Sequence, residues 1–145
     1  MKHDFDEIET AFMFVSSGPE FMNSAILDRE TGKIYYTSDL GDSDELPQDI
    51  EGNEKYIGIP HRNDLDLGKQ LVFKFVMKVV PEEIEIIMGF FNHPGAYSNY
   101  KKYLTRINKL KEWFKFEETE TQGALKEWCK QNNIEIQEEI PNSPQ

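Results

Sequence analysis

The feature that most constrains the fold is a change in hydrophobic period near residue 62. Between residues 22 and 38, apolar residues such as Ala25 and Leu27 alternate with more polar neighbours, which is typical of half-buried β-strands. From Leu65 to Val80, polar residues instead recur at every fourth position of an apolar run, which indicates a buried helix with one narrow solvent-exposed face. This change of period predicts an α+β fold, with a small antiparallel sheet followed by a helical C-terminal half.

The N-terminal part is predicted to contain one helix and three strands. Residues 4–16 place Ile8, Phe12 and Val15 on one helical face. Residues 22–38 are predicted to form a β-hairpin that turns at Gly32, because glycine adopts a positive φ easily. A short third strand is predicted just before Pro60, which would stop it.

The C-terminal half is predicted to contain about four helices. The first covers residues 65–80, the second begins at Pro81, and the third is a basic helix over residues 97–111. The last helix is expected to end at Asn132-Asn133. The aromatic residues of the last part of the chain, together with its lone cysteine, are expected in the core: Trp113, Phe114, Phe116, Trp128 and Cys129.

Composition predicts a single α+β domain over residues 1–136 and a disordered tail over residues 137–145. No apolar stretch approaches the roughly 20 residues of a membrane span, so we expect no membrane association. The acidic N-terminus lacks the pattern of a secretory signal. The single cysteine, Cys129, suits a reducing compartment, and we therefore expect a cytoplasmic protein.

The charge of the chain is divided unevenly. The net charge is −11, and the whole excess lies in residues 1–66, because acidic and basic groups balance in residues 67–145. Residues 39–54 contain many acids and no Lys or Arg. Residues 101–115 contain one acid, Glu112, among several basic groups. This polarity concerns partners and association rates rather than the fold.

A series of short motifs resembles an uncharacterised bacterial protein family over residues 24–136. The resemblance implies a small bacterial protein, and it implies no established activity or catalytic residues to transfer. The motifs that carry it are Leu27-Asp28, Thr31-Gly32-Lys33, Tyr56-Ile57-Gly58-Ile59-Pro60-His61, Asn63-Asp64-Leu65-Asp66-Leu67-Gly68, Gly95-Ala96-Tyr97, Tyr100-Lys101, Trp113-Phe114-Lys115-Phe116 and Trp128-Cys129.

The segment with the most chemical potential contains His61, Asp64 and Asp66. One imidazole and two carboxylates this close could bind a divalent metal or act in general acid–base catalysis, and His93 could join them. The alternative is structural, with Asn63 or Asp64 as the N-cap of the helix that begins nearby.

Two other segments could bind ions. Gly95, Tyr97 and Lys101, at the start of the basic helix, could bind an anion together with His93. Residues 39–54 are predicted to form an acidic loop. The sequence around Asp42 and Asp44 in this loop superficially resembles a calcium loop, but it lacks the Gly and the distant Glu that an EF-hand requires. We therefore predict no metal there.

Three functions remain open. The first is a non-enzymatic interaction or regulatory protein that binds another protein, or a second copy, through charged surfaces. The second is a small enzyme, or a metal- or anion-binding protein, with its site near His61, Asp64, Asp66 and His93. The third is nucleic-acid binding through helix 97–111, which the net charge of −11 opposes. No cofactor is predicted, since no Gly-rich phosphate loop or zinc-ligand spacing occurs. For the first function, the proposed contact residues are Lys101, Lys102, Arg106, Asp42, Asp44 and Glu45.

Overall fold

The structure is a computed structural model, and it describes residues 2–41 and 43–137. Within these residues, five helices accompany a three-stranded antiparallel sheet and a two-stranded parallel one. The strands lie almost entirely in the N-terminal part and the C-terminal half is helical, so the predicted α+β class is confirmed. The chain divides into two compact units, one comprising the described residues of Met1–Leu65 and Ala124–Gln145, the other Asp66–Gly123.

The first unit, here the sheet unit, begins with strand β1 (His3–Asp4) and helix α1 (Phe5–Ser16). The Asp4 side chain caps α1 by accepting a hydrogen bond from the Asp6 N–H at 2.9 Å. Ile8, Phe12 and Val15 are all buried, as the helical period predicts. Burying such an apolar face contributes roughly 1.5–3 kcal/mol for each large side chain.

The sheet contains β2 (Asn23–Asp28), β3 (Ile34–Ser38) and β4 (Tyr56–Gly58), in the order β3-β2-β4. β2 lies in the centre and pairs antiparallel with both neighbours. The hairpin turns through Gly32 at φ 81°. The predicted hairpin and third strand are therefore confirmed.

Strand β5 (Ile136–Gln137) pairs in parallel with β1, an element that the sequence analysis missed. His3 stands opposite Ile136 in this pair, and the His3 N–H donates to the Glu135 carbonyl at 2.8 Å. Strands of two residues carry no alternation of their own. Gln137, the first residue of the predicted tail, lies in this strand, and residues 138–145 lie outside the described residues.

The second unit, here the helical unit, contains helices α2 (Lys69–Val79), α3 (Ile84–Phe90) and α4 (Ala96–Arg106) and the first part of α5 (Leu110–Gln131). The remainder of α5, from Ala124, belongs to the sheet unit. An aromatic cluster forms the core of the helical unit. The ring of Trp113 packs edge-on against Tyr100 at 5.1 Å and against Phe75 at 5.4 Å between centroids.

Two predicted helix boundaries are wrong. The helix predicted over residues 65–80 begins only at Lys69, because Asp66 has a left-handed backbone (φ 56°) that no helix continues through. The basic helix predicted over residues 97–111 ends at Arg106, since Asn108 is also left-handed (φ 64°). The Lys109 N–H then reaches back to the Leu104 carbonyl at 2.8 Å, which closes a Schellman motif.

The end of α5 follows the same geometry and agrees with the prediction. Asn133 is left-handed (φ 59°), and the Ile134 N–H bonds the Cys129 carbonyl at 2.8 Å. The buried side chains of Cys129 and Ile134 occupy the two positions that commonly touch in this motif. None of the described helices is long and apolar enough to span a bilayer.

Candidate functional site

His61 is a structural residue whose two ring nitrogens are both engaged. Its Nε2 lies 2.8 Å from the Gly18 carbonyl, and its Nδ1 lies 3.0 Å from the Asn63 N–H. A carbonyl only accepts, so Nε2 carries the proton and Nδ1 is the acceptor. The side chain is 5% exposed. In this arrangement the imidazole has no lone pair left for a metal ion or a substrate proton.

Asp64 holds the backbone of the same short turn. Its carboxylate accepts from the His61 N–H at 2.9 Å, and the His61 carbonyl accepts from the Asp64 N–H at 2.9 Å. This reciprocal pair resembles a capping box, and it closes a 3-10 turn over Arg62–Leu65. The capping function expected of Asn63 or Asp64 thus belongs to Asp64, but in this turn and not in α2, whose N-cap is Gly68 without a side-chain cap.

The other two residues of the proposed enzyme site are exposed. Asp66 and His93 both belong to the helical unit, whereas His61 and Asp64 belong to the sheet unit. Across the described part of the chain, no three or more His, Cys, Asp or Glu side chains are grouped so that they could hold a metal ion. The proposed four-residue cluster is thus divided between the two units, and it stays a prediction.

The start of α4 carries the residues of the proposed anion site. Gly95 is the N-cap, with φ 76° and no side-chain cap, and Tyr97 lies in the first turn. The Tyr97 ring packs edge-on against Phe91 at 5.1 Å. Lys101 lies more than one helical turn further along, where its ammonium approaches Phe114. These residues form an ordinary helix start after a turn.

The acidic loop after β3 follows the outer edge of that strand. The Tyr36 N–H donates to Asp44 Oδ2 at 2.7 Å, and the Asp44 N–H donates to the Tyr36 carbonyl at 2.8 Å. The Ser43 hydroxyl oxygen accepts from the Ser38 N–H at 3.0 Å. The loop thereby occupies backbone groups that an edge strand would otherwise offer to another chain. Glu45 is exposed, and Asp42 lies outside the described residues.

An open cleft of about 470 Å³ lies beside this loop in the sheet unit, and the sequence analysis did not predict it. Asp6, Glu7 and Tyr36 line it, and the Lys33 ammonium lies over the Tyr35 ring at 4.7 Å. Burial, together with the nearby carboxylates of Glu7 and Asp44, raises the pKa of Tyr36. The remaining residues that line the cleft are Thr10, Gly32, Lys33 and Ile34.

The α4–α5 hairpin carries a surface that combines cations with an aromatic ring. Phe114 is 46% exposed, and the Lys101 Nζ lies 6.0 Å from the centroid of its ring. Lys101 and Lys102 are exposed and make no ion pair with any described residue. Arg106 lies over the Tyr103 ring at 5.6 Å. We call Lys101, Lys102, Arg106 and Phe114 the basic–aromatic surface.

The expectation that Phe114 belongs to the core is wrong. Its neighbour Trp113 is buried and faces Tyr100, so the next position along α5 points away from that core. Within α4 itself, Tyr100 is buried in the core whereas Lys101 and Lys102 are exposed. The exposed ring comes from α5 instead, so only the hairpin brings the two groups together.

Cys129 is buried, and burial raises the pKa of its thiol to about 11. A thiol with so raised a pKa carries little thiolate at neutral pH, which agrees with the expected packing role.

Comparison of this chain with protein-family models, with curated proteins and with solved structures finds no match. The resemblance to an uncharacterised bacterial family therefore stays a prediction.

Proposed function

We propose that this is a non-enzymatic protein of the bacterial cytoplasm that binds an acidic segment of a partner protein through the basic–aromatic surface. The observation that carries the proposal is the exposed ring of Phe114 beside the Lys101 ammonium, which makes no ion pair with any described residue. Aromatic residues and Arg are enriched at protein interfaces, and Arg106 belongs to the same surface. The bacterial origin rests on the family resemblance, and the compartment on the lone Cys129.

The two kinds of side chain would contribute differently to binding. The charges of Lys101, Lys102 and Arg106 would attract an acidic partner and orient it, which mainly raises the association rate. Phe114 would supply apolar area that leaves water on binding and so slows dissociation. Because the Debye length is about 10 Å at 0.1 M salt, added salt should weaken the charge contribution first.

Local pairing limits how much of the basic segment can take part. The Lys109 ammonium already bonds the Glu112 carboxylate at 3.2 Å, so this charge is largely compensated within the hairpin. An exposed pair of this kind is worth little to stability. Lys101, Lys102 and Arg106, the three cations assigned to partner binding from the sequence, make no such ion pair with any described residue.

Single-stranded nucleic acid is a second candidate ligand for the same surface. An exposed aromatic ring flanked by cations can stack a base and contact a phosphate. The Lys101–Phe114 arrangement favours this possibility more than the sequence of α4 does. The net charge of −11 opposes it, because phosphate contacts supply most of the non-specific affinity.

Fluorescence anisotropy with two labelled probes of equal negative charge tests the proposal. One probe is a peptide of Glu and Leu, and the other is an oligo-dT strand. We expect the peptide to bind, and we expect added salt to weaken this binding. Replacing Phe114 by Ala should weaken it at least about tenfold, as loss of an anchoring ring does.

A charge-reversal pair supplies the control. The triple variant Lys101→Glu, Lys102→Glu, Arg106→Glu should abolish peptide binding. A variant with the same net charge, in which exposed lysines of the sheet unit are reversed, should retain most of it. Preferential binding of oligo-dT would favour the nucleic-acid function, and equal loss in both triple variants would refute a localised site. The control substitutions are Lys2→Glu, Lys33→Glu and Lys130→Glu.

A further inference from the structure

The turn between α1 and β2 exposes a large aromatic side chain on a left-handed backbone. Phe21 is 89% exposed, and its φ is 73°. Positive φ is uncommon outside glycine, and for a bulky residue it is a genuine outlier. The turn is fixed by the Met22 N–H, which bonds the Pro19 carbonyl at 3.2 Å. Neither burial nor backbone preference therefore explains a phenylalanine at this position.

A second exposed apolar residue, Leu40, follows the end of the neighbouring strand β3. In the register of β2 and β3, Asn23 pairs with Ser38, and the Asp39 N–H bonds the Met22 carbonyl at 3.0 Å. Phe21 precedes Met22 and Leu40 follows Asp39, so each lies one residue beyond this hydrogen bond. Leu40 is 77% exposed. We call Phe21 and Leu40 the apolar tip.

The sequence around the apolar tip is acidic on both strands. Phe21 follows Glu20, and Leu40 follows Asp39, and both of these acids are exposed. Residues 4–28 and residues 34–54 contain no Lys or Arg. Two apolar side chains within an acidic surface match a ligand that has apolar groups among positive charges.

We propose that the apolar tip is a docking site for a basic, apolar segment of a partner protein. It differs from the basic–aromatic surface in position and in sign of charge, and so it does not depend on the function proposed above. Charge complementarity identifies the occupant: the acids select a cationic segment, and Phe21 and Leu40 bury its apolar side chains. An anionic membrane is repelled by the same acids.

The backbone of Phe21 makes a discriminating experiment possible. A Phe21→Gly variant removes the ring and also suits the left-handed backbone, so its thermal midpoint should equal or exceed that of the parent. A Phe21→Ala variant removes the ring without this relief. We expect both variants, and Leu40→Ala, to lose at least tenfold in affinity for a labelled amphipathic peptide of Leu and Lys. A Met13→Ala variant, which removes an exposed apolar side chain of α1, should bind as the parent does.

Three results would overturn the proposal. One is unchanged binding of the Leu/Lys peptide to Phe21→Gly while that variant remains folded. Another is a loss of peptide affinity in Met13→Ala equal to that in Phe21→Gly, which would indicate non-specific binding to the sheet unit. The third is a concentration-dependent mass in light scattering that Phe21→Gly abolishes, since the occupant would then be a second copy of this chain. Salt-sensitive binding confined to the parent and Met13→Ala supports the assignment.

Discussion

The hydroxyl of Tyr100 gives the sharpest test of the helical core. Tyr100 is fully buried in the aromatic cluster of the helical unit, and its hydroxyl has no hydrogen-bond partner among the described residues. Burial, with added repulsion from Glu117 and Tyr97, raises the pKa of Tyr100 far above its usual range. A hydroxyl that is desolvated without compensation costs about 1–3 kcal/mol.

We therefore expect Tyr100→Phe to stabilise the protein, which is the opposite of what this substitution usually does. The ring and its edge-on contact with Trp113 are kept, and only the uncompensated hydroxyl is removed. A gain of about 1 kcal/mol should raise the thermal midpoint by roughly 2–4 °C for a chain of this size. In urea, with a slope of about 1–3 kcal/mol per molar, the midpoint should rise by about 0.5 M.

Tyr103 provides the matched control. Its hydroxyl donates to the Glu83 carboxylate at 2.7 Å, and this hydrogen bond raises the pKa of Tyr103. Tyr103→Phe removes that bond and should lower the urea midpoint. We therefore expect the same Tyr→Phe change to shift the urea midpoint in opposite directions at these two positions of one helix. If Tyr100→Phe also destabilises, the hydroxyl has a bound water as its partner and the reasoning is refuted.

Three further predictions concern the sheet unit. Burial tends to raise the pKa of Asp28, but hydrogen bonds from Glu30 and Thr31 and the charge of Lys55 outweigh it, so the folded-state pKa is lowered. Asp28 should therefore stabilise the fold above about pH 4, and this stabilisation should be lost as the pH falls through its folded-state pKa. In urea titrations, Asp28→Asn should have a lower unfolding free energy than the parent at pH 7, and the difference should disappear in acid. His61→Leu leaves the Gly18 carbonyl and the Asn63 N–H without their hydrogen-bond partner, so it should lower the unfolding free energy by about 2–4 kcal/mol. A loss below roughly 0.5 kcal/mol would contradict the structural role of His61. Cys129 should react with a disulfide reagent at neutral pH only as fast as the unit opens, so a rapid reaction in native buffer would contradict its burial.

The sequence alone determines the elements whose stabilising contacts lie close along the chain. The 3.6-residue spacing of Ile8, Phe12 and Val15 defines α1, and Gly32 allows the hairpin turn. Asn133 similarly marks the end of α5. In each case the deciding interaction joins residues a few positions apart, so it is visible in a short stretch of sequence.

Helix ends inside apolar runs were less predictable from the sequence. Asp66 and Asn108 each adopt a left-handed backbone that shortens a predicted helix, although the hydrophobic pattern continues past both. Aspartate and asparagine tolerate this conformation but also occur in helices, so their identity does not decide between the two.

The candidate surfaces depended on tertiary structure throughout. His61 could have been a ligand until the Gly18 carbonyl, distant in sequence, engaged its Nε2. Phe114 could have been a core residue until α5 turned it toward Lys101 on α4. Strands β1 and β5, from opposite ends of the described chain, find each other only in the folded unit. The residue types in a sequence set what each side chain can bond, but which partner it meets depends on contacts between distant segments, and local periodicity contains no information about these contacts.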